Sequence, residues 1–563
     1  MADPEKTPLT PAAAAEAALM LARQLGHAPA WRAKAAFAQS VAHAQFAADD
    51  PPVRAALTAA INEGWTNPHE LFSSAVSLIR LDGRIAGCVR RANDSWPARP
   101  TRAALFGAEG LAALAADRLL QAVLEAAPVK SIHLERFLTC ARHALLESAS
   151  SGQTPDAADV AALGFYASLA RQCFINEFLF DWQDEERLAA ASCRARLLAL
   201  LEAGVTVPPL LVLAVAAYFP LQLLPDAGRL LAAGHPVALD EVLRQQIGEP
   251  LRERALAASI ERLTPVTDQV SRAVRDQYEQ NPYPRWVRMS AHEEPLPFNA
   301  RLQRLLPFAR FAPLADDRTP EILVAGCGTG RDAILVARQF RGARVLAIDL
   351  SLSSLSYAKR KTQQLGVQNI EYAQADILRL TECARTFDVI GAVGVLHHLA
   401  DPFEGWRILL TRLRPGGFMC LGLYSQTARR AVVRARELIA ARGYANTSEG
   451  IRRFREDVIA GETSAEIRSL ARSPGFYSMS ECRDLAFHVQ EQQLTLAQIG
   501  SFLGEPGLRF IGFELDARVL DQYRARFGED TACTSLRNWA RFEAENPDTF
   551  TAMYRFWIQR QRD

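Results

Sequence analysis

Three glycines spaced by single residues stand in Val324-Ala325-Gly326-Cys327-Gly328-Thr329-Gly330, directly after an apolar run. Glycine permits a tight turn and lets the backbone approach a ligand where a side chain would collide. Nineteen residues past Gly330, Asp349 ends a second apolar run, Arg344 to Leu350. A carboxylate there can accept both hydroxyl hydrogen bonds of a ribose. Asp376 and Ile377 end a third run, Asn369 to Ile377. That acid can take an adenine amino group while the isoleucine packs on the ring. After a fourth run, Phe387 to Val393, comes Gly394-Val395-Leu396-His397-His398-Leu399. A neutral imidazole such as His398 can take a proton near pH 7.

These groups converge only if the runs are parallel strands ending on one edge. From Pro320 the rhythm is strand, helix, strand: Glu321 to Gly326, then the three runs above, then Phe418 to Tyr424 after the turn Arg414-Pro415-Gly416-Gly417. Such alternation implies a parallel sheet covered on both faces, an α/β doubly wound fold. A later strand is expected at Leu508 to Leu515, and the aromatic tail Phe550 to Arg560 reads as a helix.

At these residues Pro320 to Tyr424 closely resembles class I methyltransferases that use S-adenosylmethionine (SAM). The resemblance implies that Gly326, Cys327, Gly328, Thr329 and Gly330 line the methionine part of SAM. It places Asp349 and Leu350 at the ribose, Asp376 and Ile377 at the adenine, and Val393 in the same wall. His398 matches a histidine often found at the acceptor lip of small-molecule methyltransferases, where it would serve as general base; the alternative is a packing or capping histidine. One departure stands out: the acid usual two positions before the first glycine is replaced by Val324. A nicotinamide site expects GxGxxG, but Arg331 occupies the third glycine position. The Asn/Asp-Pro-Pro-aromatic motif of base and amide methyltransferases is replaced by GVLHHL.

Upstream, Asn281-Pro282-Tyr283-Pro284-Arg285-Trp286 resembles a segment preceding the methyltransferase domain in bacterial proteins that fuse it to helical repeats. Tyr283 and Arg285 would then fold over the cofactor, with Arg285 meeting the methionine carboxylate; otherwise the segment is a linker. Its two prolines favour extended chain across Asp276 to Ser290. The stretch Ser478 to His488 resembles the tail of the same group. If helical, it sets Asp484 and His488 on one face with Arg483 at the edge, either toward the acceptor or as a surface ion pair.

The 563 residues exceed one hydrophobic core. Residues 1–264, rich in Ala, Leu and Arg at three- and four-residue spacing, read as an all-α region of degenerate repeats or none. Residues 265–317 read as an arm, 318–425 as the SAM-binding core, and 426–563 as a helical extension with one strand. Loops are expected at Pro51-Pro52, Ser148 to Gly152 and Pro208-Pro209. A net charge of +1 gives no global field for nucleic acid or membrane. Nine scattered cysteines without a CxxC pair argue against a zinc or disulfide framework and for a reducing, cytoplasmic compartment. No metal site is read. Two functions remain: methyl transfer to a small molecule or protein side chain, or a non-catalytic SAM-binding module whose helical region recruits a protein partner.

Overall fold

The computed structural model describes residues 10–25, 30–150, 156–290, 294–315, 319–504, 507–551 and 553–562. Eight strands form one sheet: β1 (Glu261–Arg262), β2 (Glu321–Ala325), β3 (Arg344–Asp349), β4 (Ile370–Gln374), β5 (Phe387–Val393), β6 (Leu413–Tyr424), β7 (Leu508–Phe513) and β8 (Met553–Arg560). Their order is β1-β4-β3-β2-β5-β6-β8-β7. Neighbours from β1 through β6 run parallel, and β8 is antiparallel to both β6 and β7.

The pleat sends alternate residues to opposite faces, and both faces are buried. In β2, Leu323 and Ala325 join one core while Ile322 and Val324 join the other. The chain leaves β2 for β3 on one side and β5 for β6 on the other, so the order reverses between β2 and β5. A crevice opens at the carboxyl ends of the strands at such a reversal.

The helical region precedes the sheet and has its own core, from Ala14 to Ile247. Its most apolar helix, Pro209–Tyr218, is buried from Leu210 to Tyr218. Among the described residues no helix is long and apolar enough to cross a membrane.

Several local expectations are corrected. The tail expected as a helix is β8: Tyr554, Phe556 and Ile558 pack into one core and Trp557 into the other, a period of two that suits aromatic side chains on a pleated surface. The stretch expected to be extended from Asp276 is helical to Gln280. Asp268 caps this helix at its start by accepting the Ser271 N–H at 2.8 Å, and Pro282 stops it from behind without disturbing what precedes. Pro51 and Pro209 begin helices, where a missing N–H costs nothing. Ser148 to Ser150 belong to helix Ile132–Ser150, and Ser151 and Gly152 lie outside the described residues.

The helical region and the residues after β6 share buried contacts. Leu179 belongs to a core otherwise built from residues 432–487. The Arg455 guanidinium forks onto the Glu135 carboxylate at 3.0 and 2.9 Å, both side chains buried. The division at 264/265 also runs through a contact: β1 pairs with β4, and Leu263 N–H donates to Gln374 O at 2.9 Å.

Removing one partner of a buried fork strands the other charge, at about 3–5 kcal/mol. Arg455→Met is therefore expected to lower stability by about that amount in urea unfolding, and Glu135→Gln/Arg455→Met to recover much of it. Equal loss in single and double variants would show that packing, not charge, is at stake.

Candidate active site

The glycine loop follows β2 into helix Arg331–Gln339. Gly326, Gly328 and Gly330 have φ of 69°, 51° and 81°, the left-handed region. A Cβ on Gly328 would lie 2.5 Å from Tyr283 O, and one on Gly326 would overlap Val395. The loop is thus pressed between the β5 turn and the Tyr283-Pro284 backbone. Thr329 N–H donates to Tyr283 O at 3.2 Å, its hydroxyl donates to Pro284 O, and Trp286 Nε1–H donates to Thr329 O at 3.2 Å.

A cavity of about 260 Å³ lies over this loop at the strand ends. Tyr283, Gly326, Cys327, Gly328, Asp349, Leu350, Asp376, Ile377, Val393 and His398 all line it. Asp349 is held from below: Oδ2 accepts Gly328 N–H at 2.8 Å and Oδ1 accepts Ser351 N–H at 2.9 Å. Burial pushes its carboxyl up in pKa, against those two N–H bonds. Asp376 Oδ1 accepts Leu378 N–H at 3.0 Å; its buried Oδ2 makes no well-aligned hydrogen bond, with the Ser271 hydroxyl as a neighbouring donor in the same wall. A buried acceptor without a well-aligned bond is costly unless a ligand satisfies it.

At the other end His398 meets Asp484 and His488, and Tyr278 bonds to both of these. His398 Nδ1 lies 2.8 Å from Gln490 O, so it carries the proton and Nε2 keeps its lone pair. His488 has the opposite tautomer: Nδ1 accepts Gln490 N–H at 3.0 Å, leaving the proton on Nε2, 3.0 Å from the Tyr278 oxygen. Tyr278 donates in turn to Asp484 Oδ1 at 2.7 Å. The two imidazoles stack at 3.8 Å.

Burial lowers the pKa of His398, and the Asp484 charge opposes that shift. Burial, then His398, depresses His488 to about 2. Burial raises Asp484, against His398 and the Tyr278 hydroxyl. The ligand atoms of His398, Asp484 and His488 lie within 4.8 Å of one another, a spacing that can hold an ion. His488 spends its Nε2 proton on Tyr278, however, so the donor set suits proton handling better than coordination.

Five of the expected residues, Thr329, Gly330, Arg285, Arg483 and His488, stand outside the lining, and Gly330 instead packs against Ala358, whose Cβ lies 2.5 Å from where one on Gly330 would be. Thr329 is fully buried beneath the segment it fastens. Arg285 stacks over Phe174 at 4.3 Å, with Glu177 at 3.9 Å, and lines a different cavity. Arg483 donates to Asn281 Oδ1 at 2.6 Å, tying helix Met479–Ala486 to the same segment. His488 stands one layer behind the cavity wall, against Tyr278 and His398. A surface ion pair between Asp484 and His488 is ruled out, since both are buried. Arg331, Asp332, Tyr278 and Tyr424 also line the cavity; the first two directly follow the glycine loop, and that adjacency was the available signal.

Residues 322–417 match the family model of a methyltransferase domain. An uncharacterised protein of Synechococcus is 30% identical over 244 residues, covering 40% of this chain and 56% of that one. A ubiquinone biosynthesis O-methyltransferase of Acinetobacter baumannii is 38% identical over 98 residues, 17% of this chain and 40% of that one. The chain thus spans about half the length of the curated relatives it matches. PKMT2 of Rickettsia typhi, solved with AdoHcy, aligns at a TM-score of 0.36 and 17% identity, over 47% of this chain and 53% of that one. By its matched segment, glycine loop and sheet order, the chain carries a class I SAM-dependent methyltransferase domain.

Proposed function

We propose that the whole chain is a SAM-dependent methyltransferase whose cofactor lies in the cavity over the glycine loop. The observation that carries this reading is the convergence of Asp376, Ile377 and Asp349 with the glycine loop in one cavity wall, where Asp376 Oδ2 and the neighbouring Ser271 hydroxyl make no well-aligned bond. An adenine amino group would satisfy Asp376 Oδ2, and a ribose diol would take the outer lone pairs of Asp349. The acid missing at Val324 has a substitute in Asp332, and Arg331 supplies the opposite charge for the methionine carboxylate; both line the cavity. When bound, SAM supplies an electrophilic methyl group.

The acceptor would enter beside His398, whose free Nε2 can take the proton a hydroxyl or ammonium must lose. Asp484 is then the counter-charge for the imidazolium, held in place by Tyr278 and His488. Alignment of acceptor, methyl and sulfur supplies most of the acceleration, worth up to about 7–11 kcal/mol. The helical region is proposed to recognise a protein partner or acceptor, and the protein to work in the cytoplasm.

SAM is expected to bind at micromolar level by calorimetry, and Asp349→Ala to weaken it by about 1–3 kcal/mol. Unchanged affinity in a folded variant would remove the ribose assignment. Gly328→Val should abolish binding while helix content by circular dichroism persists, because the new Cβ meets Tyr283 O at a strained φ. Normal SAM affinity in that variant would refute the loop's role. His398→Ala is expected to keep SAM affinity while slowing transfer of labelled methyl groups to lysate components. Since burial holds the His398 pKa below its ordinary value, the base stays free in mild acid, and activity should persist below pH 6.5. A rate equal to the parent's at every pH would return His398 to a packing role.

A further inference from the structure

A second cavity of about 260 Å³ is lined from helix Leu163–Ile175, helix Leu352–Gln364 and the segment 285–289. Five cations reach it, and three of them have carboxylate partners. Arg171 pairs with Glu125 at 2.6 Å, Arg244 with Glu241 and Glu249 at 2.6 and 2.5 Å, and Arg285 approaches Glu177 at 3.9 Å. The two carboxylates in the wall are engaged: Glu249 also holds Arg360 at 3.2 Å, and Glu63 holds Lys34 at 2.7 Å.

Arg288 and Lys361 make no direct ion pair among the described residues; Glu125 and Glu241 act on Arg288, and Glu249 and Glu253 on Lys361, only at longer range and against the burial of each. Arg288 donates only to the carbonyls of Ile61 and Asn62. Lys361, 5% exposed, donates to Val287 O at 2.6 Å and lies 4.8 Å over the Trp286 ring. A cation withdrawn from water without a direct counter-charge is costly, Lys361 being buried and Arg288 half-buried, and here like charges crowd both. Burial, then Arg171, lowers the Arg288 pKa; burial, then Arg360, brings Lys361 down to about 7. Phe174, Trp286 and Tyr357 complete the wall with flat apolar surface.

We propose that this cavity binds an oxyanion, a phosphate or carboxylate on a small planar body, with Arg288 and Lys361 as its counter-charges. The charged group sits between the two cations and the body lies on the aromatic wall. The segment that presents Trp286 and Arg288 here also presents Tyr283 and Pro284 to the glycine loop. An occupant therefore steadies one wall of the cofactor cavity, and oxyanion and cofactor bind with positive coupling. The site itself is independent of the methyl-transfer reading; only the coupling rests on it.

The test is thermal unfolding of the full chain with phenyl phosphate or benzoate at fixed ionic strength, sodium chloride being the control. One of the two is expected to raise Tm saturably, and which one does so distinguishes phosphate from carboxylate. The rise should vanish in Lys361→Met and in Arg288→Met. Lys361→Met should itself have a higher basal Tm than the parent, since it removes a buried charge with no direct counter-charge, so a lost response is not a lost fold. No saturable rise with either anion, or the same rise in both variants, overturns the site. SAM affinity by calorimetry should tighten at least about threefold with the effective anion present. An unchanged affinity for SAM, which still binds, overturns the coupling, whereas absence of SAM binding with an intact thermal response points to failure of the cofactor reading instead.

Discussion

The close approach of the Tyr283-Pro284 backbone to the glycine loop is the constraint on which the site depends. Gly328 must be glycine twice over: its φ is left-handed, and the space beside its Cα is filled by Tyr283 O. Once that contact is made, Thr329 bonds both Tyr283 and Pro284, and Trp286 bonds Thr329. Tyr357 in turn donates to Trp286 O from helix Leu352–Gln364, which packs beside β3 and β4. The segment is therefore a wall of the cavity, and its position is set by the Rossmann-like core rather than by its own sequence.

From that wall the order runs outward through the preceding helix, Gln269–Gln280. Glu279 accepts N–H bonds from Leu352 and Ser353 at 2.6 and 3.1 Å, at the start of the helix after β3. Tyr278 reaches Asp484 and His488 on the far side. Helix Met479–Ala486 is tied to the helical region, since Met479 N–H donates to Asn176 O at 3.2 Å and Ser480 N–H to Glu177 at 2.6 Å. The His398 end of the cavity is thus assembled from three distant stretches of chain, which makes the helical region part of the scaffold under the site.

The cofactor side of this arrangement was legible in the sequence because its signals are local. Glycines, a strand end and an acid at fixed separation belong to single βα units, and β2 to β5 lie where their apolar runs predict. The side around His398 was not legible in the same way. Tyr278 and Asp484 meet across 206 residues, and no periodicity encodes that contact. Arg285 misled because a cation beside a cofactor motif reads as a ligand, whereas a ring and an acid from the helical region claim it first. The tail was misread although Asn546-Pro547-Asp548 marks a turn before it, because its run of aromatics suits a buried helix as well as a strand until Tyr554, Phe556 and Ile558 are seen to alternate with Trp557.

The central claim is that the cavity over the glycine loop is shaped around an adenosyl group, with Asp376 and Asp349 as its two polar anchors. The most direct measurement is a crystal structure of the full chain with S-adenosylhomocysteine. The account predicts the adenine amino group within hydrogen-bond distance of Asp376 Oδ2, the ribose hydroxyls on Asp349, and the sulfur turned toward His398. A nucleoside bound elsewhere, or seated there with no bond to Asp376 Oδ2, would contradict it.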